Sequence, residues 1–472
     1  MPSRNQLAAS FPRALDFQHF TEEPLDFLAD ARRIHGDFVV IREDAPVFSR
    51  TDDCAGVVAV FGLEHQRAVL SEIESYALPI SAALQLGLPE NLVNLNHSLH
   101  SMRGDMHAAQ KRQLMQILGE SNIMDYHHSV CEALVGFAQS WRVGSKVGLF
   151  SEMRNLALRL SSRVLFGEKY GDSAQLISLL QSYFQCRREE TSKNQGGRIS
   201  PERLIAVGYS LDDTLREYTR ECRQGRVSSG GILGSLATLG MEKQRTFSED
   251  EVIGHSNVLF ISSTEPVATA LTWILLILSQ LPMLRSNLRK EIAAIVGSGD
   301  VPGTNQLSQM RLLDGVINES LRLLPPNAFM VRITTKSTML NGLQLPEHCE
   351  VILCPFLAHR DIRGFHQPNA FIPERWKQAR PSSFEFFPFG AGGHSCVGRS
   401  LAFYFIKLSL SYLLMRYDLV LAGDQWIDWR LHIMFMPRTD PVVSVLSTDT
   451  TETLQSGKLN GPVANLMTLI DT

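Results

Sequence analysis

Two short stretches near the start of the chain, residues 38–42 and 57–61, are interpreted as alternating strands of a small sheet. A period of two is typical of half-buried strands. From about residue 90 to 325 the apolar positions instead recur with the helical period, and a second strand-rich patch follows at residues 331–357 around an Asn-Gly turn signal. The clearest predicted helices are residues 107–118, 156–164, 204–220, 250–281, 283–296 and 398–416.

The predicted strands are grouped and do not alternate with the helices. This grouping argues against a doubly wound sheet and favours a mainly α protein with a small β lobe, in the α+β class. No internal repeat, low-complexity block or Pro/Gly/Ser-rich linker divides the sequence, so we expect a single domain over residues 1–446. The sequence from residue 447 onward is polar and rich in threonine, which predicts a flexible tail over residues 447–472.

Composition narrows the possible function classes. The 472 residues carry 45 basic and 49 acidic side chains, a formal net charge of -4, so nothing favours nucleic acid or an anionic membrane surface as a partner. The seven cysteines are unclustered, which indicates a reducing compartment and argues against zinc or iron–sulfur motifs. The most apolar segment, residues 268–278, is shorter than the roughly 20 residues that a membrane span needs. We expect a monomeric, cytoplasmic protein without a membrane span.

One glycine-rich segment, residues 386–399, leads into Cys396 at the start of the last predicted helix. Free backbone N–H groups and a helix N-terminus stabilise negative charge, so we expect the thiol to have a lowered pKa and to bind a metal or act as a nucleophile. The glycines also let a flat cofactor approach the backbone. Three other interpretations stay open on this pattern: a buried structural cysteine, a dinucleotide loop that lacks its last glycine, and a cysteine hydrolase.

The segment resembles the haem-binding signature of the cytochromes P450, the haem-thiolate mono-oxygenase superfamily, in a soluble bacterial-type form. The matching positions are Phe389, Gly392, His394, Cys396 and Gly398. The resemblance implies haem b as the cofactor, held between this loop and the helix predicted at residues 250–281, with Cys396 as the ligand of the iron. It extends over about residues 90–437.

Two further motifs follow in the order that the family shows. Glu319 and Arg322 match its Glu-x-x-Arg helix, and Arg375 lies in a Pro-Glu-Arg segment. An isolated pair at this spacing would be interpreted as a solvated surface pair. The resemblance instead implies that the three residues form a buried triad, which fixes the core that presents the cysteine loop.

The resemblance also implies a set of cationic groups for the two haem propionates. These are His107, Lys111, Arg332 and His394, with Lys111 in a position where arginine is usual. Lysine keeps the charge but loses the bidentate fork. His97 and His100, with His107 nearby, could suggest a separate metal site, but they lack a defined carboxylate partner. Residues 187–190, Arg-Arg-Glu-Glu, are interpreted as a solvated helix face.

The long predicted helix departs from the family pattern of two small residues, an acid and a threonine. Here Ser262-Ser263 stand at the small positions, Glu265 at the acid and Pro266 at the threonine. That threonine supports the protonation that splits the O–O bond, which proline cannot do. Pro266 also removes the hydrogen bond to the Ser262 carbonyl and should bend the helix. We expect Glu265 to act as an acid or only to pair with its neighbours, and the Ser262 hydroxyl to substitute for the missing one or only to pack.

The resemblance implies oxygen-dependent hydroxylation or epoxidation of a hydrophobic small molecule in secondary metabolism. Apolar residues 84–93, 327–330 and 433–436 are the expected substrate-facing stretches, and no arginine or lysine stands out as an anchor for an acidic substrate. The missing threonine leaves two alternatives: an atypical haem-thiolate enzyme with peroxide-driven, isomerase, coupling or atom-transfer chemistry, and a haem-binding protein without turnover.

The same resemblance implies that electrons come from a separate donor of the ferredoxin or reductase type. The donor should dock near the cysteine loop, where positive charge is available. The residues expected to supply it are Arg103, Lys111, Arg112 and Arg399.

Overall fold

The computed structural model describes residues 17–49, 53–79, 89–191, 201–227, 230–239, 247–297, 301–431, 434–448 and 456–471. Helices α1 to α10 are Phe17–Glu22, Pro24–His35, Leu63–Ser71, Glu90–Val93, Gly104–Ile117, Glu120–Ala138, Leu149–Gly171, Ala174–Thr191, Pro201–Arg223 and Gly231–Thr238. Helices α11 to α17 are Glu249–Ser279, Pro282–Val296, Thr304–Leu307, Arg311–Leu323, Pro355–Ala358, Arg399–Arg416 and Pro462–Asn465.

The strands are short and fall into small sheets. Strands β1 to β7 are Phe38–Glu43, Gly56–Val60, Tyr76–Ala77, Lys146–Gly148, Met330–Thr334, Thr338–Leu340 and Leu343–Leu345. Strands β8 to β14 are Cys349–Leu353, Tyr417–Leu421, Gln425–Trp426, Trp429–Leu431, Phe435–Pro437, Val442–Ser447 and Leu459–Asn460. The largest sheet has the order β1-β2-β8-β5-β3, and the expected mainly α fold with a small β lobe is confirmed.

One expectation for this sheet is wrong and another agrees with the structure. Strands β2 and β8 pair in parallel, Val58 opposite Val351, and every residue of both strands is buried. The alternating, half-buried strand expected at residues 57–61 is therefore wrong for β2, because a strand covered on both faces is apolar at successive positions. The Asn-Gly signal lies in the β6–β7 hairpin, where Asn341 and Gly342 have φ of 48° and 89°. A two-residue hairpin turn needs this left-handed backbone.

Helix α11 passes through the centre of the protein. It begins with a capping box, in which the Ser248 hydroxyl accepts from the Glu251 backbone N–H at 3.1 Å and the Glu251 carboxylate accepts from that of Ser248 at 2.8 Å. Among the described helices it is the one long and apolar enough to cross a membrane, but 78% of its most apolar stretch is buried inside the protein. Burial on all sides is typical of a core helix.

The expected flexible tail is wrong for residues 456–471. Strand β14 pairs in parallel with β10, and Val463 and Met467 are buried. The Asp471 carboxylate accepts hydrogen bonds from the backbone N–H groups of Met283 and Leu284 at 2.9 and 3.0 Å, at the start of α12. A few apolar side chains and one helix cap are enough to dock a mostly polar segment. Residues 449–455 lie outside the described ranges.

Candidate active site

The cysteine loop lies flat against helix α3 and presents its thiol at the start of α16. Within the loop, the Cys396 N–H donates to the Phe389 carbonyl at 2.8 Å. Gly392 has a φ of 66°, and a Cβ at this position would overlap the backbone carbonyl of Leu70. Gly393 is equally close to a side chain of the loop that follows α3. Glycine is therefore required at both positions, because only a residue without a side chain permits this approach.

The Cys396 thiol is accessible to solvent, yet protein encloses it on most sides. Burial is the largest influence and raises its pKa, while the Gly398 N–H and the cations of Lys111 and Arg399 act in the opposite direction. The expected lowered pKa is thus wrong for the loop as it stands, because desolvation of a thiolate outweighs one backbone donor and two neighbouring charges. An accessible sulfur in an enclosed position suits binding of a cofactor from one side.

Beside the loop, five cationic or titratable side chains from α5, β5 and two loops form a group that we call the cation cluster. Its members are His100, His107, Lys111, Arg332 and His394. The rings of His107 and His394 meet edge to face with centroids 4.7 Å apart. Both ring nitrogens of His394 are buried without a hydrogen-bond partner among the described residues. Buried polar atoms are normally paired, so these nitrogens indicate that a ligand belongs here.

Electrostatics points to an anionic ligand for the cation cluster. Burial lowers the pKa of Arg332 to about 10 and that of His394 to about 3, and the nearby Arg332, His107, Lys111 and His100 lower the latter further. Burial also lowers the pKa of His100, His107 and Lys111. No carboxylate of the described chain contributes to any of these shifts. Uncompensated buried cations are costly, and two propionates of a haem would supply the missing negative charge.

Lys111, expected at a haem propionate, makes two hydrogen bonds to the cysteine loop. Its ammonium donates to the Gly393 carbonyl at 2.6 Å and to the Ser395 hydroxyl at 3.0 Å. It therefore ties helix α5 to the cysteine loop. An ammonium has three donors, so these two contacts are compatible with a further bond to an anion.

The predicted triad is assembled in the protein interior. The Glu319 carboxylate is fully buried and accepts from Arg322 at 2.8 and 3.0 Å and from Arg375 at 3.0 Å. It also accepts from the Trp376 indole and the Ile372 backbone N–H, both at 2.9 Å. All of this hydrogen bonding satisfies the buried charge, which is the condition under which a buried ion pair is tolerated.

A chain of contacts leads from the triad to the cysteine loop. Arg322 donates to the His359 carbonyl at 2.9 Å, and the His359 ring nitrogen Nε2 accepts from the Phe387 N–H at 3.0 Å. Burial, then the charges of Arg322 and Arg360, lower the pKa of His359 to about 3. The ring is therefore neutral and can act as an acceptor. The triad thus holds the first residues of the cysteine loop through His359.

On the distal side, helix α11 continues through Pro266 to Ser279. Ser262 is exposed and lies one turn before Pro266, on nearly the same face. The hydroxyls of Ser263 and Thr264 both donate to the Phe260 carbonyl, at 3.1 and 2.8 Å. Among the described residues, the Ser262 hydroxyl makes no such backbone bond, and its side chain is exposed.

Glu265 lies on another face of α11. Its carboxylate accepts from Arg154 of α7 at 2.6 Å, with the Glu265 side chain 8% exposed and that of Arg154 37%. The pair borders a shallow crevice that is open to solvent. The remaining lining residues are Leu158, Leu180, Gln181, Phe184, Phe260, Ile261 and Thr264. Of the two roles expected for Glu265, the structure shows the pairing with a neighbouring cation.

Sequence reasoning missed three contacts of this site. His100 belongs to the cation cluster, although it was interpreted as a member of a doubtful metal site, and no cluster suited to a metal ion is found in the described part of the chain. The sequence pattern does not indicate the contact between Arg154 and Glu265, because 111 positions separate the two residues. Trp376 directly follows Arg375 of the Pro-Glu-Arg segment, so its contact with Glu319 could have been inferred from that neighbour.

Comparison with known proteins agrees with this geometry. The mitochondrial sterol 26-hydroxylase of Mus musculus is 36% identical over 233 residues, which cover 47% of this chain and 43% of that protein. Pentalenene oxygenase of Streptomyces avermitilis is 26% identical over 334 residues, 67% of this chain and 73% of its own. The match thus spans less than half of the sterol 26-hydroxylase.

Solved structures show the same fold. The cytochrome P450DA heme domain aligns with a TM-score of 0.78 at 17% identity, covering 92% of this chain and 96% of that one. The retinoic acid-bound cyanobacterial CYP120A1 aligns with a TM-score of 0.77 at 20% identity, covering 91% and 96%. The sequence profile described as cytochrome P450 matches residues 94–438. The chain belongs to the cytochrome P450 family, and its cysteine loop and cation cluster fit the haem that this family carries.

Proposed function

We propose that the protein is a haem-thiolate mono-oxygenase that hydroxylates or epoxidises a hydrophobic small molecule. One atom of O2 enters a C–H or C=C bond, and the other leaves as water with two protons and two electrons from a donor. The observation that carries the proposal is the accessible Cys396 thiol beside the buried Arg332 cation and the unpaired His394 ring. When bound, the haem supplies the iron at which O2 is reduced, and the thiolate donates electron density that favours O–O cleavage.

The residues of this chain have separate tasks in binding the cofactor. Arg332 would neutralise propionate charge, and the histidines of the cation cluster would each donate one ring N–H to the propionates. The buried ring of His394, which has no hydrogen-bond partner among the described residues, is the clearest of these donors. Gly392 and Gly393 keep the loop close to α3. Lys111 holds the loop to helix α5. Together these contacts would fix the position of Cys396 relative to α11.

An apolar substrate is supported by part of the expected lining. Phe329 is partly buried and its ring lies 5.3 Å from that of Phe48, so aromatic surface is available there. Phe435 is instead fully buried against Trp273 and Phe356 and belongs to the core. Residues 80–88 and 432–433 lie outside the described ranges. A pentalenene oxygenase and a cyclooctat-9-en-7-ol 5-monooxygenase among the relatives support a role in secondary metabolism.

The donor would dock on the face that carries the cysteine loop. Arg103, Arg112 and Arg399 are exposed there, whereas Lys111 is engaged with the loop and is not part of this surface. We expect Arg112→Glu combined with Arg399→Glu to slow reduction by a ferredoxin-type donor, with the effect shrinking at high salt. Unaltered reduction rates would contradict this placement. The monomeric state and the cytoplasmic location stay predictions.

A second candidate is an atypical haem-thiolate enzyme, because Pro266 replaces the hydroxyl that supports protonation and Glu265 is held by Arg154. Such a protein would use peroxide or catalyse an isomerisation, a coupling or an atom transfer. A haem-binding protein without turnover is the remaining alternative. The intact set of contacts around Cys396 disfavours it, since binding alone does not need an electron-rich thiolate.

The deciding experiment uses the haem-loaded protein and a panel of apolar compounds. Ligands that shift the spin state of the iron are selected by absorbance and incubated with NAD(P)H and surrogate redox proteins, or with peroxide alone. Oxygenated product with the redox proteins and labelled O2 supports the mono-oxygenase. Product with peroxide alone favours the atypical enzyme, and protein that stays colourless after haem supplementation contradicts both.

A further inference from the structure

The sequence predicts a solvated helix face for residues 187–190, but the Arg187 side chain is partly buried. It lies on helix α8 one turn after Tyr183 and faces the short helix Asn94–Asn96. Its Nη1 donates to the Asn96 side-chain oxygen, and the guanidinium carbon lies 5.9 Å from the centre of the Tyr183 ring. The Asn96 amide in turn donates to the Tyr183 hydroxyl at 3.1 Å. These contacts fix the orientation of the guanidinium.

The charge of Arg187 has no counter-charge in the described chain. Its Nε is buried without a hydrogen-bond partner. Burial lowers its pKa, and the one side chain that offsets this is Tyr183, a neutral group at ordinary pH. The nearby carboxylate of Asp212 is already bound to Arg216 at 2.6 Å. An enclosed cation with an unused donor is costly unless an anion joins it.

The segment that contacts Arg187 continues into the cation cluster. Asn257 of α11 donates to the Leu95 carbonyl at 2.7 Å, and its own side-chain oxygen is buried without a partner. Four residues after Asn96, the same segment places His100 in the cation cluster. Two residues with buried, unsatisfied polar atoms, Arg187 and Asn257, therefore contact the segment that continues to His100 of the cation cluster.

We propose that Arg187 binds the carboxylate of the substrate, so that the protein acts on apolar molecules that carry one acidic group. The Nε of the guanidinium has no hydrogen-bond partner among the described residues, and this edge suits a two-point contact with a carboxylate, the geometry that arginine favours. Asn96 acts as a positioning residue, because it occupies the opposite nitrogen. This inference rests on the proposed mono-oxygenase function and names its substrate class. It replaces the sequence-based expectation of a substrate without an acidic anchor.

The test compares acids with alcohols of the same carbon skeleton on the haem-loaded protein. The probes are palmitate against palmityl alcohol and retinoate against retinol, and Kd is measured from the spin-state shift. We expect the acids to bind roughly 10- to 100-fold more tightly than the alcohols, as for a charge-assisted contact. In Arg187→Met this preference should vanish while the Kd of the alcohols is unchanged.

Two further variants separate recognition from structure. Arg187→Lys keeps the charge without the fork and should retain part of the preference. Arg220→Met alters an arginine of α9 that is 60% exposed and pairs with Glu249, so it should leave the preference intact.

The inference is overturned if wild-type protein binds acid and alcohol with equal Kd. It is also overturned if neither palmitate nor retinoate produces a spin-state shift. A third contrary outcome is that Arg187→Met weakens acid and alcohol binding by the same factor, since that pattern indicates a structural role. Product formation from a neutral apolar compound in those cases leaves the proposed function standing. Absence of product from every compound tested rejects the proposed function itself.

Discussion

The two sides of the haem site are built differently. On the cysteine side, buried hydrogen bonds link the triad through His359 to Phe387, and the Cys396 N–H donates to the Phe389 carbonyl of the same loop. On the α11 side, Ser262 is exposed and Glu265 makes one ion pair with a half-exposed arginine. A network with many buried members tolerates few changes, whereas a helix face with few contacts can vary at low cost in stability. The cysteine side thus carries the residues that the resemblance assigns to the cofactor, whereas the α11 side has Pro266 where the resemblance expects a threonine.

The largest effect is expected on the cysteine side. Cys396→Ala removes the anionic ligand, so the carbon-monoxide difference spectrum of the reduced protein should lose its thiolate-type band completely. Cys131→Ser is the matched control, because Cys131 lies on α6 near His127, away from the loop. A thiolate-type band that survives in Cys396→Ala would show that another group binds the iron.

The triad should be the next most sensitive position. Glu319→Gln leaves two arginines buried without their carboxylate, and we expect the free energy of unfolding to fall by about 3–5 kcal/mol. Denaturant unfolding of the haem-loaded protein measures the loss. Asp30→Asn breaks the exposed pair with Arg33 and should cost about 0–1 kcal/mol. Equal losses in the two variants would mean that the triad gives the cysteine side no special rigidity.

The neutral ring of His359 predicts how this side responds to acid. Its folded-state pKa of about 3 lies below the value of about 6.5 in an unfolded chain, so the unfolded state binds the extra proton first. Stability is then lost as the pH falls from about 6.5 toward about 3, by about 1.4 kcal/mol per pH unit. Unfolding of wild type and His359→Gln should show a shallower acid slope in the variant. Identical slopes would assign the acid sensitivity to other groups.

The smallest effect is expected on the α11 side. If the Ser262 hydroxyl substitutes for the missing threonine, Ser262→Ala should lower the ratio of product to released peroxide about 3- to 10-fold, the worth of one hydrogen bond. Ser263→Ala is the matched control, because its hydroxyl donates to the Phe260 carbonyl within the helix. An unchanged ratio in Ser262→Ala would remove this serine from the mechanism.

Some parts of the site could be inferred from short stretches of sequence. The glycines and the cysteine of the loop lie within ten positions, and Glu319 and Arg322 are neighbours on one helix turn, so local geometry already joins them. The apolar pattern of residues 250–281 likewise indicated that Pro266 lies inside a buried helix. The expected Cys396 pKa was wrong because a motif shows the donors near the thiol but not the protein atoms that desolvate it.

Other parts depended on how distant elements pack. Arg154 meets Glu265 across 111 positions, and Arg187 changes from an expected surface residue to an enclosed cation once α8 lies on the segment at Asn96. The docking of residues 456–471 likewise depends on β10 and the start of α12. Local spacing identified the family and its cofactor and predicts Cys396 as the ligand, because these rest on chemistry within one or two turns of chain. Tertiary structure alone decided which charges are paired and which are left for a ligand, because burial and long-range contacts are properties of the assembled core.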